Sequence, residues 1–139
     1  NIMALPNGAG GYQVGDGNTS EIQFNAQPAP ATVAAGDATL TAAELATKIV
    51  LGSPGTSAAA YTLPTGALMD AAFPSMRTNT AFDFSVVNVD GSSSGVITMT
   101  AGTGWTIVGL ATIVATAGTA QTFRARKTGD ATWTLYRIS

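Results

Sequence analysis

Eight carboxylates are the whole supply of acid–base or oxygen-ligand chemistry in these 139 residues: Asp16, Glu21, Asp37, Glu44, Asp70, Asp83, Asp90 and Asp130. Glycoside hydrolysis or capture of a hard cation would need two or more of them to converge. Asp37, Asp90 and Asp130 each adjoin a glycine, the setting of a turn. Asp83 alone interrupts an alternating strand pattern, where a cross-strand arginine is its ordinary partner. The absence of cysteine and histidine removes thiolate and imidazole catalysis, disulfides, the common zinc sites and any histidine pH switch. The serines have no histidine to activate them, and neither a Ser-x-x-Lys pair nor a Gly-Lys-Ser/Thr phosphate loop occurs. The expectation is a chain that is not an enzyme, with no catalytic residue, cofactor, metal or small-molecule substrate.

Arg124, Arg126, Lys127 and Arg137 form the one basic cluster. In a chain of formal net charge −2, four cations without an interleaved stacking face fall short of a nucleic-acid groove. Asp83, Arg124, Arg126 and Arg137 are read instead as a candidate ion-pair strand face. Tyr12, Tyr61, Trp105, Trp133 and Tyr136 are either a sugar-stacking platform or aromatic anchors of a core; their strand positions favour anchors.

The elements that would hold these residues are strands. Residues 1–37 are rich in glycine, with Pro28 and Pro30 breaking an alanine-rich run, and read as an extended N-terminal arm. Within it only Glu21 to Asn25 has strand alternation. From residue 38 to 139 the pattern is that of one domain. Thr41 and Glu44 make a capping box for a helical turn. Strands are expected over Ala46 to Leu51 and Ala58 to Leu63, then a short helix from Thr65 to Phe73 with Leu68 and Ala72 on one face. Phe82, Phe84 and Val86 alternate with Asp83 and Ser85, and Asp90-Gly91 suits a tight hairpin to a strand at Val96 to Thr100. Trp105 to Val108, Ala111 to Val114, Gln121 to Lys127 and Ala131 to Ile138 complete the set. The fold class expected is all-β, a β-sandwich of jelly-roll-like form with one or two short helices. No internal repeat of solenoid length is visible. From Gly91 to Phe123 no charged residue occurs, yet glycines, serines and threonines break the stretch too often for a membrane helix. Residues 1–6 have neither the cationic start nor the apolar run of a secretory signal, so no targeting or membrane segment is expected.

Only 10% of the residues are charged against 45% hydrophobic, so there is little polar side chain to cover a second sheet face. Strands with apolar residues on both sides, such as Val86-Val87 with Val89 and Leu135 with Tyr136 and Ile138, imply burial against another subunit. Val87, Val89, Tyr136 and Ile138 are the expected subunit interface of a symmetric oligomer.

The blocks Leu40-Thr41-Ala42-Ala43-Glu44-Leu45, Tyr61-Thr62-Leu63-Pro64-Thr65, Phe82 to Asn88, Thr98 to Trp105, Phe123-Arg124-Ala125 and Trp133 to Arg137 resemble small structural proteins of tailed-phage virions, most of all capsid decoration (cement) proteins. The likeness spans about residues 38–139, and the arm has no counterpart in it. The resemblance implies a homotrimer of β-sandwich subunits, made in the host cytoplasm and seated on the outer capsid surface of the virion. There it would clamp neighbouring copies of the major capsid protein, and no reaction is implied. Ile2, Met3, Leu5, Ile22 and Phe24 of the arm would contact capsid or subunit neighbours. The alternative is a fibre or tail module that binds a host receptor or glycan through Tyr12, Tyr61 or Trp105.

Overall fold

The computed structural model describes residues 24–139. In chain order these form β1 (Ala31–Val33), β2 (Ala38–Thr39), α1 (Ala42–Ala46), β3 (Ile49–Gly52), β4 (Ala59–Thr62), α2 (Gly66–Ala72), β5 (Ala81–Asn88), β6 (Ile97–Thr100), β7 (Trp105–Val108), β8 (Thr112–Ile113), β9 (Thr119–Gly129) and β10 (Thr132–Arg137). The fold is β-rich with two short helices. A six-stranded sheet runs β1-β3-β5-β9-β10-β7 and a four-stranded sheet runs β2-β4-β6-β8. Phe84, Val86, Phe123, Ala125, Trp133 and Leu135 of the first sheet share one buried core with Tyr61, Ile97, Met99 and Ile113 of the second.

Both helices start where their caps dictate. The Thr41 hydroxyl accepts the Glu44 N–H at 3.1 Å while the Glu44 carboxylate accepts the Thr41 N–H at 2.8 Å, the reciprocal pair expected. Thr65 accepts the Leu68 N–H at 3.2 Å. The strand expected from Ala46 begins later, because Ala46 closes α1 and Thr47 caps it. In α2 the buried positions are Gly66 and Met69, whereas Leu68 and Ala72 face out. The helix rests on the stripe beside the expected one, since its first turn is set by Thr65 and the Gly66 contact described below.

The hairpin expected at Asp90-Gly91 is absent. β5 lies between β3 and β9 in the larger sheet, and β6 lies between β4 and β8 in the smaller one. The diverting group is Asn88, which is wholly buried. Its amide donates to the carbonyls of Gly95 and Val114, both at 2.9 Å, and its side-chain oxygen accepts the Gly91 N–H at 2.6 Å. These bonds wrap the connection around the end of β5 and send the chain to the opposite sheet.

That crossing is the rule for the first six strands. β1, β3 and β5 are parallel neighbours in one sheet, β2, β4 and β6 parallel neighbours in the other, and the chain alternates between them. The chain therefore winds as a coil although no solenoid repeat was expected. Its first two turns each follow strand, strand, helix. Thr39-Leu40-Thr41-Ala42 and Thr62-Leu63-Pro64-Thr65-Gly66 occupy equivalent places, with Thr39 paired to Thr62, Leu40 and Leu63 buried, and a threonine capping each helix. The inserted Pro64 and the unequal turn lengths hide this correspondence from a fixed-period reading.

β1 falls inside the segment assigned to the arm, yet it pairs with β3 and buries Val33. Asp37 likewise accepts the Ala60 N–H at 2.9 Å. Residues 31–37 thus belong to the body, which starts earlier than residue 38. The strand expected at Glu21 to Asn25 lies mostly outside the described residues; Phe24 and Asn25 are not in a strand.

Candidate interaction surface

The side of the six-stranded sheet that faces away from the core is organised in rows fixed by register. Two rows carry charge. Ala81, Arg126 and Thr134 lie side by side, and next to them Asp83, Arg124, Tyr136 and Val108. Arg124 grips Asp83 through two bonds of 2.6 and 3.0 Å, the cross-strand pair expected, and this holds the Asp83 carboxyl below the usual carboxylate range. Both side chains are about half exposed, so the pair fixes position more than it adds stability. Arg126 donates to the Tyr136 hydroxyl at 2.9 Å and to the Asn79 side-chain oxygen at 2.6 Å, with its guanidinium 5.6 Å from the Tyr136 ring centre.

The next two rows are neutral. Ile49, Ser85 and Thr122 form one, with the Ser85 and Thr122 hydroxyls 2.9 Å apart and the Ile138 N–H donating to the Thr122 carbonyl at its end. Thr32, Leu51, Val87 and Ala120 form the other. Val89 continues beyond Val87. Ile138 is 49% exposed and Val89 42%, and no charged side chain stands in either row. The strands β1, β3, β5, β10 and β7 all run the same way, so their carboxyl ends bring this apolar half-face together.

The structure therefore gathers three of the four expected interface residues, Val87, Val89 and Ile138, on the neutral half. Tyr136 lies on the same face but in the charged row, where Arg126 already engages it. Arg137 does not join Asp83, Arg124 and Arg126: it sits opposite Phe123, whose side chain points into the core, so strand alternation turns it away from Arg124. Ile2, Met3, Leu5 and Ile22 lie outside the described residues, while Phe24 is 72% exposed. Sequence reading missed Ile49 and Leu51. Their signal was the unbroken Ile49-Val50-Leu51 run, typical of a parallel strand covered on both faces.

The aromatic residues named for a sugar platform are mostly interior. Tyr61, Trp105 and Trp133 are buried, with the two indoles stacked 5.7 Å apart and Trp105 donating to the Pro64 carbonyl at 2.6 Å. Tyr12 lies outside the described residues. Asp90 accepts the Gly55 N–H, and among the described residues no group of three or more Asp or Glu side chains could hold a metal ion. No described helix is long and apolar enough to cross a membrane.

One carboxylate has a role that sequence reading did not find. Asp70 on α2 accepts the Ala131 N–H at 2.6 Å, the Trp133 indole N–H at 3.0 Å and the Lys127 ammonium at 3.1 Å, clasping the helix to the β9–β10 turn. The turn fits closely there: Ala131 has φ +53°, and a Cβ on either Gly66 or Gly104 would overlap its carbonyl. Partial burial opposes ionisation of Asp70, but the three donors outweigh it and hold its pKa below the ordinary 3.8. A carboxyl depressed on folding contributes stability above its unfolded value, and this is lost as pH falls through the folded value. Asp70→Asn is expected to cost about 2 kcal/mol at neutral pH. The gap from the parent should narrow below about pH 4, as read from urea midpoints against pH. A gap that stays constant on acidification would contradict the clasp.

Comparison with family models, with curated proteins and with solved structures finds no match.

Proposed function

We propose that the chain is a virion structural protein, a capsid decoration or cement protein that binds the outer capsid as an oligomer and stabilises the shell. The observation that carries this reading is the neutral half-face around Leu51, Val87, Val89 and Ile138, where Val89 and Ile138 are exposed and Leu51 and Val87 half-buried. Covering it against another copy removes apolar area from water without burying a charge. The partners are then the chain itself, as a homotrimer, and the major capsid protein. A protein that binds the assembled shell and not its dissociated subunits shifts the balance toward the shell by mass action. No step of this role requires a reaction or a cofactor.

The resemblance brings a jelly-roll-like sandwich with it. Two sheets around one core support the layered part of that description, while five parallel pairings out of eight weigh against the antiparallel jelly roll. The fibre-module reading is less favoured, because Tyr61 and Trp105, two of the three residues it would use, are interior.

Labelling intact phage particles with an antibody raised against the purified chain tests the proposal. A regular array of label over the head is the expected result. Label confined to the tail or fibres would favour the alternative, and unlabelled particles would overturn both.

A further inference from the structure

Beside the end of α1 the charged half of the sheet face runs into a trough with two compartments. The larger, about 540 Å³, is lined by Lys48, Ala81, Phe82, Asp83 and Arg124. The smaller, about 230 Å³, is walled by Ala46, Phe73, Met76 and Phe82, again with Lys48. Lys48 and Phe82 belong to both, so a charged space continues into an apolar one. Asp83 is the one acid among these lining residues, and Arg124 already holds it through Nε and Nη2. Arg124 Nη1 and the Lys48 ammonium have no bonding partner among the described residues. Arg126, paired across the ladder with Ala81, adds a cation at the rim. In a chain of formal net charge −2, three cations here face one acid. Lys48 also holds φ +69° just past the Thr47 cap, where glycine is the unstrained choice. Strain kept for a side chain without a partner points to a use for that side chain.

Both compartments open to solvent, unlike the pockets that bury most of a small ligand, so their shape suits a chain laid across the surface. We infer that the trough receives an acidic segment of a partner protein. Its carboxylate meets Lys48 and Arg124, and a bulky apolar side chain next to that carboxylate enters the space beside Phe73 and Phe82, whose rings lie 5.6 Å apart. A space of about 150 Å³ already holds a benzene ring, and the Met76 side chain can adjust to the shape of the guest. The surplus of cations selects the sign of the partner and the apolar compartment selects its neighbouring residue. The inference rests on the reading above only in taking that partner to be a protein of the shell, and it needs no self-association.

Titration of the full-length, isotope-labelled chain with the end-blocked peptide Gly-Ser-Phe-Glu-Ser-Gly, followed by amide NMR shifts, tests this. The shifts should centre on Lys48 and Phe82. The dissociation constant should rise about tenfold when glutamine replaces the glutamate of the peptide, and about tenfold when serine replaces its phenylalanine. Lys48→Gly in the protein should weaken binding about fivefold, while its urea midpoint stays level or rises because glycine relieves the backbone. Shifts centred elsewhere, equal binding of the glutamine peptide, or a Lys48→Gly chain that binds as the parent does would each overturn the inference. A protein that ignores the peptide while its antibody still labels the head in a regular array sinks this contact alone. One that binds the peptide as described but is absent from the particle keeps the site and sinks the shell reading.

Discussion

Replacing Asn88 with alanine is expected to lower stability by about 4 kcal/mol, enough to leave a marginal domain largely unfolded at 37 °C. Its amide satisfies the Gly95 and Val114 carbonyls and the Gly91 N–H. The residue itself is wholly buried, and Gly91 and Gly95 are buried beside it. Alanine would orphan the Gly95 carbonyl and the Gly91 N–H and leave a cavity, while the Val114 carbonyl keeps the Thr116 N–H at 2.8 Å and the Thr119 hydroxyl at 3.2 Å. Each orphan costs about 1–3 kcal/mol when water cannot reach it. Asn88→Asp keeps the shape but turns two donor contacts into oxygen facing oxygen, so it should be nearly as damaging. Urea unfolding of the two variants measures this. A loss under about 1 kcal/mol in both would mean that the connection from β5 to β6 is held by something other than Asn88.

Val87→Glu should have an equally large effect on association and a small one on folding. Val87 lies between Leu51 and Ala120 in the centre of the neutral half-face and points away from the core, so a lone subunit can solvate the new carboxylate. In an oligomer the same group would be buried without a partner, at a cost of several kcal/mol. The dissociation constant should rise at least about 1,000-fold, while the melting temperature of the dissociated subunit stays within a few degrees of the parent. Sedimentation of the variant beside the parent reads the first, and calorimetry the second. Unchanged association would place the interface elsewhere on the molecule.

Local chemistry was legible in the sequence and non-local pairing was not. The caps at Thr41 and Thr65 follow from side chains within four residues, and the alternation of Phe123 with Arg124 and of Trp133 with Thr134 follows from strand geometry alone. The pairing of β5 with β3 and β9 depends on segments far along the chain, and the Asp90-Gly91 turn signal pointed to the wrong neighbour because Asn88 overrides it. The same limit explains Arg137. Its spacing from Tyr136 shows that the two face opposite ways, but only the register of β10 on β9 reveals which of them shares a face with Arg124. Val87, Val89 and Ile138 were recognisable as apolar residues with no place in a one-sided core. Ile49 and Leu51 joined them only once β3 was seen beside β5. The Asp70 clasp joins α2 to a turn about sixty residues later, a distance at which no spacing rule operates.

The claim on which the rest depends is that this chain does not live as a single subunit. Sedimentation equilibrium of the full-length chain over a wide dilution series, in low salt and again in concentrated sodium chloride, tests it most directly. The account predicts a discrete oligomer, a trimer, whose mass is insensitive to salt because the contacts that hold it are neutral. A single-chain mass at every concentration, or an oligomer that salt takes apart, would contradict it.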